Sequence, residues 1–218
     1  MQLDADATFY QFSRITSALA SPSRLKLLDR LCQGEQTVEQ LAAGAELSVP
    51  NTSRQLRILA EARLASVRRD PPRVYYRVAT DRVVQFWFAL RDLAREQLSE
   101  LDRVVAELIG SRDRLTPLTR DELVKRMDTG EVVLIDVRPE SEFRAGHIPG
   151  ARSIPLEHLE ARLGTLSPAN DVVAYCRGPY CMLSVDAVAA LRARGIPAAR
   201  LEDGFPEWKA AGLPVQVG

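Results

Sequence analysis

Hydrophobic residues recur at helical spacing through the first half of the chain. Leu25, Leu28 and Leu31 lie three apart, and Leu41, Leu56 and Leu59 make a second set, so residues 8–110 are predicted to be mostly helical. The pattern changes over Ala65–Val78, where two short β-rich runs flank Asp70-Pro71-Pro72 and predict a hairpin. From Asp81 to about Ile109 there is no proline or glycine. Val84, Phe88, Leu93, Leu98, Leu101, Val105 and Leu108 put an apolar stripe on this otherwise charged segment. One long helix is predicted here, and its stripe requires a partner surface or a place in an intramolecular core.

Residues 111–117 read as a linker, beyond which short apolar strands alternate with amphipathic helices. Thr119 and Glu122 have capping-box spacing and Gly130 is placed as a helix stop, which predicts a short helix before the buried strand Val132–Ile135. Val172–Tyr175 reads as a second strand leading into Cys176. The stretch Leu183–Arg194 reads as helix, and Ala199–Leu201 as a further short strand. Alternating strand and helix predicts a parallel sheet covered on both faces. The boundaries that follow are 1–110, a linker over 111–117, and 118–218.

The length of 218 residues suits two domains of about 100 each, every one able to bury its own core. The acidic start, Met1-Gln2-Leu3-Asp4, carries no basic-then-apolar stretch, and no run approaches the roughly 18 apolar residues of a membrane span. A soluble, unexported protein with no membrane partner is expected. Three cysteines are too few for a disulfide framework and fit a reducing compartment, with cytoplasm the expected location. The formal charge is zero, but Ser48–Arg77 holds seven arginines against Glu61 and Asp70, a local excess of five. Such a face suits phosphate binding, although a solvated surface has the same composition.

Two constellations carry candidate chemistry. The first is Ala18-Leu19-Ala20-Ser21-Pro22-Ser23-Arg24-Leu25, then Thr37-Val38-Glu39-Gln40-Leu41-Ala42, then Leu47-Ser48-Val49-Pro50-Asn51-Thr52-Ser53-Arg54-Gln55-Leu56-Arg57. It resembles the ArsR/SmtB family of winged helix-turn-helix repressors over residues 8 to 110. Ser48 can cap a helix whose exposed side chains enter a major groove, with Asn51, Thr52, Ser53, Arg54, Gln55 and Arg57 as candidates for base contact. Arg68, Arg69 and Arg73 on the hairpin would hold phosphates or reach the minor groove.

The resemblance implies a homodimer on a double-stranded DNA operator, the long last helix pairing with Phe9, Phe12 and Ile15 of a second copy. Two departures bear on geometry: Arg63 stands where the family usually has glycine after the recognition helix, and Asp70-Pro71-Pro72 forms the wing tip. The cysteines and histidines of the family's metal sensors are missing from residues 35–41 and from the last helix. Neither a metal nor a cofactor is therefore expected, and the signal must enter elsewhere.

The second constellation is Val133-Leu134-Ile135-Asp136-Val137-Arg138, Glu142-Phe143-Arg144-Ala145-Gly146-His147-Ile148-Pro149-Gly150, Tyr175-Cys176-Arg177-Gly178, and Gly204-Phe205-Pro206-Glu207-Trp208. It resembles the rhodanese domain over residues 117 to 218. Cys176 ends a strand and precedes a helix, so loop amides can favour its thiolate, which can attack a sulfane sulfur and hold it as a persulfide. The resemblance implies sulfurtransferase capability, with a small sulfur donor and a thiol acceptor, and a site of Cys176, Arg177, Gly178, Pro179, Tyr180 and Cys181. Two readings stand for Cys181: it resolves the persulfide into a bridge, or it is a small apolar residue of the first helical turn. Asp136 and Arg138 read as a structural ion pair beside the site, His147 as a hydrogen-bonded turn residue, His158 as a surface residue and Cys32 as core packing.

The fold expected is therefore a mainly α winged helix-turn-helix domain with a long dimerisation helix, followed by an α/β rhodanese-like domain, a parallel sheet with helices on both faces. The function expected is a repressor responsive to reactive sulfur or thiol redox state. The alternatives are a sulfurtransferase whose helical half dimerises or localises it and, with the unusual loop in view, arsenate-reductase-like oxyanion chemistry.

Overall fold

The computed structural model describes residues 5–109, 117–165 and 171–218. The linker expected at 111–117 lies outside the described residues except for Pro117, as does the acidic start of the chain over 1–4. Two compact units are present, Met1–Arg91 and Asp92–Gly218.

The first unit runs α1 (Ala5–Leu19), α2 (Pro22–Leu31), β1 (Gln36–Thr37), α3 (Val38–Ala45), α4 (Val49–Glu61), β2 (Ala65–Asp70) and β3 (Arg73–Val78). Leu27, Leu28, Leu31, Leu41, Leu56 and Leu59 are fully buried at its centre, so the apolar spacing read from the sequence is the core; Leu25 packs only at its edge. Thr37 caps α3 through a complete capping box, its hydroxyl accepting from Gln40 N while the Gln40 side chain accepts from Thr37 N. Ser48 caps α4, accepting from Asn51 N at 3.4 Å. The hairpin forms where expected, and β1, which the sequence pattern did not reveal, extends it into an antiparallel sheet of order β1-β3-β2. Two residues are too few to show an alternation. Arg63 adopts the left-handed conformation at φ 60° that glycine usually supplies.

The single helix expected from Asp81 to Ile109 is two helices, α5 (Asp81–Gln97) and α6 (Ser99–Ile109), broken at Leu98. The charges favour that break. Arg95 lies in the last turn of α5, and Glu100 and Asp102 in the first turn of α6, each at the helix end whose dipole it complements. Arg95 Nε lies 3.7 Å from Asp102 Oδ1 across the gap. The start of α5 is tied to α2 by Trp87 Nε1 donating to Asp29 Oδ1 at 3.1 Å. Leu93, Leu98 and Leu108 of the stripe remain exposed, as do Phe9 and Phe12 of α1.

The second unit contains α7 (Arg120–Asp128), β4 (Val132–Asp136), α8 (Glu140–Ala145), β5 (Arg152–Ser153), α9 (Leu159–Arg162), β6 (Asp171–Tyr175), α10 (Met182–Ala193), β7 (Ala198–Arg200) and α11 (Phe205–Ala210). The strands form one parallel sheet of order β5-β4-β6-β7. Its side chains alternate between two cores. Val172, Ala174 and Cys176 pack with Ala187, Val188 and Leu191 of α10, while Val173 and Tyr175 pack with Leu123 of α7 and Phe205 and Trp208 of α11. This alternation decides which face of the sheet carries the chemistry.

Candidate functional site

Helix α4 sorts its candidate base readers by face. Arg54 and Arg57 are exposed, and Asn51 and Ser53 are half-buried. Thr52 is fully buried and Gln55 nearly so. Gln55 is clamped from both sides: Arg24 Nη1 donates to its Oε1 at 2.9 Å, and its Nε2 donates to Asn51 Oδ1 at 3.1 Å. Thr52 and Gln55 thus face the core and are unavailable to a base edge, which corrects the expectation for both. Positions 52, 55, 56 and 59 share one face at helical spacing, so the same periodicity that revealed the core could have excluded them.

On the hairpin, Arg69 and Arg73 are exposed. Ser53, Arg57, Glu61, Arg69 and Tyr76 line an open groove between α4 and the strands. Arg68 is engaged within the protein. Its Nη2 lies 2.6 Å from Glu35 Oε2, its Nη1 lies 3.0 Å from Asp70 Oδ2, and its guanidinium stacks 4.1 Å from the Tyr75 ring centroid. Its first task is to fasten the wing to the turn before β1, so the role of a free phosphate ligand is not the one the structure gives it.

The sulfur chemistry is concentrated in the six-residue loop Cys176–Cys181, between β6 and α10. Gly178 takes φ 151°, a conformation that favours glycine, and its carbonyl accepts from Cys181 N at 3.1 Å to close the turn. The loop rests on the turn before α11. Phe205 N donates to Cys176 O at 3.1 Å, and a Cβ on Gly204 would lie 2.2 Å from Gly178 N. Cys176 is buried and Cys181 partly exposed. The Cys176 sulfur lies 3.2 Å from Ser184 Oγ, 3.5 Å from Cys181 O and 3.8 Å from Gly178 O.

The two thiols of the loop are shifted in opposite directions. Burial pushes the Cys176 thiol well up and the adjacent Cys181 adds to this, while the Ser184 hydroxyl and the Gly178 N–H act in the opposite sense. Cys181 is pulled down to about 6. The hydrogen bond from Cys176 is the largest cause, opposed by burial and aided by the N–H groups of Arg177 and Leu183 and by the Arg177 guanidinium.

Arg177 supplies positive charge to the loop, and a buried carboxylate holds it: Nη2 lies 2.7 Å from Glu142 Oε1. Asp136 and Arg138 do form the expected ion pair, at 2.6 Å and fully buried, with Arg138 Nη2 also donating to Gly146 O. That pair lies on the other face of the sheet. Arg138 sits 4.5 Å from the Phe205 ring centroid and 5.7 Å from that of Tyr175, so strand alternation places it away from the thiols it was expected to flank. His147 donates through Nδ1 to Phe143 O at 2.9 Å, and His158 is exposed. Glu142, Ser184 and Gly204 were not singled out as site residues. For Ser184 a signal existed, since it shares helical phase with Ala187, Val188 and Leu191 and must face the sheet.

Residues 21–67 match the profile of the bacterial regulatory protein, arsR family, and residues 119–211 that of the rhodanese-like domain. The HTH-type transcriptional regulator Rv0324 of Mycobacterium tuberculosis is 42% identical over 208 residues, 95% of this chain and 91% of that protein. A sulfurtransferase of Allochromatium vinosum is 34% identical over 40% of this chain and 81% of its own length. Among solved structures, the homodimeric winged helix-turn-helix DNA-binding domain Mb0332 of Mycobacterium bovis is 32% identical, covering 46% of this chain and 93% of that one at a TM-score of 0.43.

Proposed function

The chain belongs to the arsR family of bacterial transcriptional regulators and carries a rhodanese-like domain in its second half, and from that premise we propose that it is a repressor whose operator binding responds to reactive sulfur through the loop 176–181. The observation that carries this reading is the pair Cys176 and Cys181, two free thiols of one six-residue loop, with Cys176 Sγ 3.5 Å from the Cys181 carbonyl oxygen. A sulfane-sulfur donor can convert such a pair to a persulfide and then to a bridge, and the loop that carries it is set directly against α10 and the Gly204 turn.

In this reading residues 1–110 form the DNA-binding and dimerisation module, 111–117 the linker and 118–218 the sensor. The exposed apolar residues Phe9, Phe12, Leu93, Leu98 and Leu108 belong to helices that would pair across a two-fold axis. Two recognition helices would then meet a palindromic operator, half-sites about one helical turn apart. Arg54 and Arg57 contact bases, and Arg69 and Arg73 contact phosphates. The signal is allosteric: the oxidised loop shifts the balance between arrangements of the dimer that differ in operator affinity.

A second reading, favoured by the likeness to the sulfurtransferase of Allochromatium vinosum, is turnover: the loop passes its sulfur to a small thiol. Operator affinity measured before and after polysulfide, for the wild type and Cys176→Ser, separates the two. A change in the wild type that the variant lacks supports the sensor, and identical binding in all four samples removes it. Cys176-dependent persulfide transfer with no effect on DNA leaves turnover as the function.

A further inference from the structure

We infer that the Ser184 hydroxyl takes part in the sulfur chemistry: it hydrogen-bonds the Cys176 sulfur in both of its states, accepting from the thiol and donating to the thiolate, and so sets how readily Cys176 takes sulfur from a donor. This rests on the reading of the loop as sulfur-reactive and adds to it a residue that lies beyond the loop. The first ground is contact. Ser184 Oγ lies 3.2 Å from Cys176 Sγ, closer than the carbonyl oxygens of Cys181 and Gly178 at 3.5 and 3.8 Å. The three approaches are not equivalent. A carbonyl oxygen only accepts, so both of these favour the S–H form and oppose a charged sulfur, whereas a hydroxyl accepts or donates by rotating about its C–O bond. The Gly178 N–H also favours the anion, but an N–H only donates and cannot serve the thiol.

The second ground is burial. Ser184 is 2% exposed and lies in the first turn of α10. The other buried residues of that helix are Val185, Ala187, Val188 and Leu191, so a hydroxyl stands on an otherwise apolar surface. A hydroxyl taken out of water destabilises the fold unless it is hydrogen-bonded, and alanine would fill the position without that cost. The partner it meets is the Cys176 sulfur. Helical register makes the meeting unavoidable: Ser184 shares a face with Ala187, Val188 and Leu191, and those three pack in the same core as Cys176.

The step balances with an inorganic polysulfide as the donor. Before attack the Ser184 oxygen accepts from the thiol. As the proton leaves, the hydroxyl turns to donate to the thiolate and stabilises it where the two carbonyls oppose it. The thiolate attacks a sulfane sulfur; a new Cys176–sulfur bond forms, the donor's sulfur–sulfur bond breaks, and the shortened polysulfide leaves with the electron pair and, through water, gains the proton that the thiol gave up. The Cys176 sulfur is oxidised, and the sulfur released at the broken bond is reduced.

The test compares the wild type with Ser184→Ala as the full chain, reduced and freed of reductant. Tryptic cleavage after Arg177 puts Cys176 and Cys181 in separate peptides, so each thiol is read by itself. Alkylation of Cys176 by iodoacetamide is followed from about pH 7 to about pH 11. Ser184→Ala is expected to raise its midpoint by about one pH unit, the loss of one hydrogen bond to a charged group. Under sodium tetrasulfide at about pH 8, loss of the free Cys176 peptide, whether to persulfide or to bridge, is expected to slow about threefold: the thiolate fraction falls about tenfold, and the more basic thiolate offsets part of that by its higher nucleophilicity. A variant whose rate changes equally at every pH, with the midpoint in place, would show that Ser184 only packs and would overturn the assignment. A variant that matches the wild type throughout would overturn it too. Either result leaves the loop sulfur-reactive. A wild type whose Cys176 stays free under tetrasulfide would overturn that reading itself and this proposal with it.

Discussion

Glu142 grips Arg177 through both carboxylate oxygens across 35 residues of chain, with Nε 2.9 Å from Oε2 and Nη2 2.7 Å from Oε1. Both side chains are buried. The carboxylate comes from α8 and the guanidinium from the loop that carries the thiols, so this bond fixes how the loop presents its positive charge to Cys181. The charge is held without being quenched, since Arg177 still contributes to lowering Cys181.

Removing the carboxylate should therefore cost more than losing a surface ion pair. Glu142→Leu strands the Arg177 charge in a low-dielectric setting and is expected to destabilise the second unit by about 3–5 kcal/mol. Adding Arg177→Met to it should recover most of that loss, because an apolar pair of similar size fills the space without a buried charge. Urea unfolding of the full chain checks both. A Glu142→Leu variant within about 1 kcal/mol of wild type would mean that the bond contributes no more than an exposed one.

The thiol pair makes a pH prediction with a definite sign. Cys181 is held down at about 6 in the folded chain, against about 8.5 for a free cysteine. Its anion is thus favoured by folding, and stability contributed by Cys181 grows as pH rises from about 6 to about 8.5 and is lost as pH falls through 6. Cys176 is shifted upward, so above about 8.5 the unfolded chain releases its proton while the folded chain retains it, and stability declines again. The wild type minus a Cys176→Ala, Cys181→Ala double variant, in chemical denaturation across this range, should show a maximum near the ordinary thiol value. A flat difference would mean that the two thiols titrate as they do in the unfolded chain.

Much of the fold was legible because its signals are local. The leucines at helical spacing, Ser48 and Thr119 as caps, and the strand before Cys176 each depend on a few neighbouring residues. The break at Leu98 was less legible, since nothing there interrupts the apolar stripe and the cause is a change of sign among Arg95, Glu100 and Asp102. At the site, residue type was legible and facing was not. Asp136 and Arg138 adjoin the strand end that leads toward the thiols, yet alternation along β4 sends them to the Tyr175 face. Glu142 finds Arg177 through tertiary contact alone, and no spacing in the chain encodes it.

Facing also separates two neighbours on α4. Arg54 is exposed and Thr52 has its hydroxyl buried with no hydrogen-bond partner. Arg54→Ala is expected to weaken operator binding by about 1–3 kcal/mol and to leave stability unchanged. Thr52→Val replaces an unsatisfied buried hydroxyl by a methyl of the same shape, so it should raise stability by about 1 kcal/mol and leave operator affinity alone. Fluorescence anisotropy with an operator duplex and thermal unfolding together decide this. If Thr52→Val weakened DNA binding as much as Arg54→Ala, the division of α4 into a core face and a groove face would be wrong.

Gly204 offers the most selective way to disturb the thiol loop, because the clash it would create is with backbone. A Cβ at this position falls 2.2 Å from Gly178 N and 2.3 Å from Arg177 C, and neither atom can move aside as a flexible side chain could. Gly204→Ala must push the loop and the turn before α11 apart, which strains the Phe205 N to Cys176 O bond. The expected loss of stability is about 1–3 kcal/mol, as for overpacking elsewhere in a folded interior. The Cys176–Cys181 bridge should form more slowly under polysulfide, since its two sulfurs depend on the turn at Gly178. Operator binding by the reduced variant should stay at the wild-type level, because α4 and the hairpin belong to the other compact unit. Bridge formation is followed by the loss of alkylatable thiols and operator binding by anisotropy. A variant that bridges at the wild-type rate would show that the loop does not need the Gly204 contact to bring its thiols together.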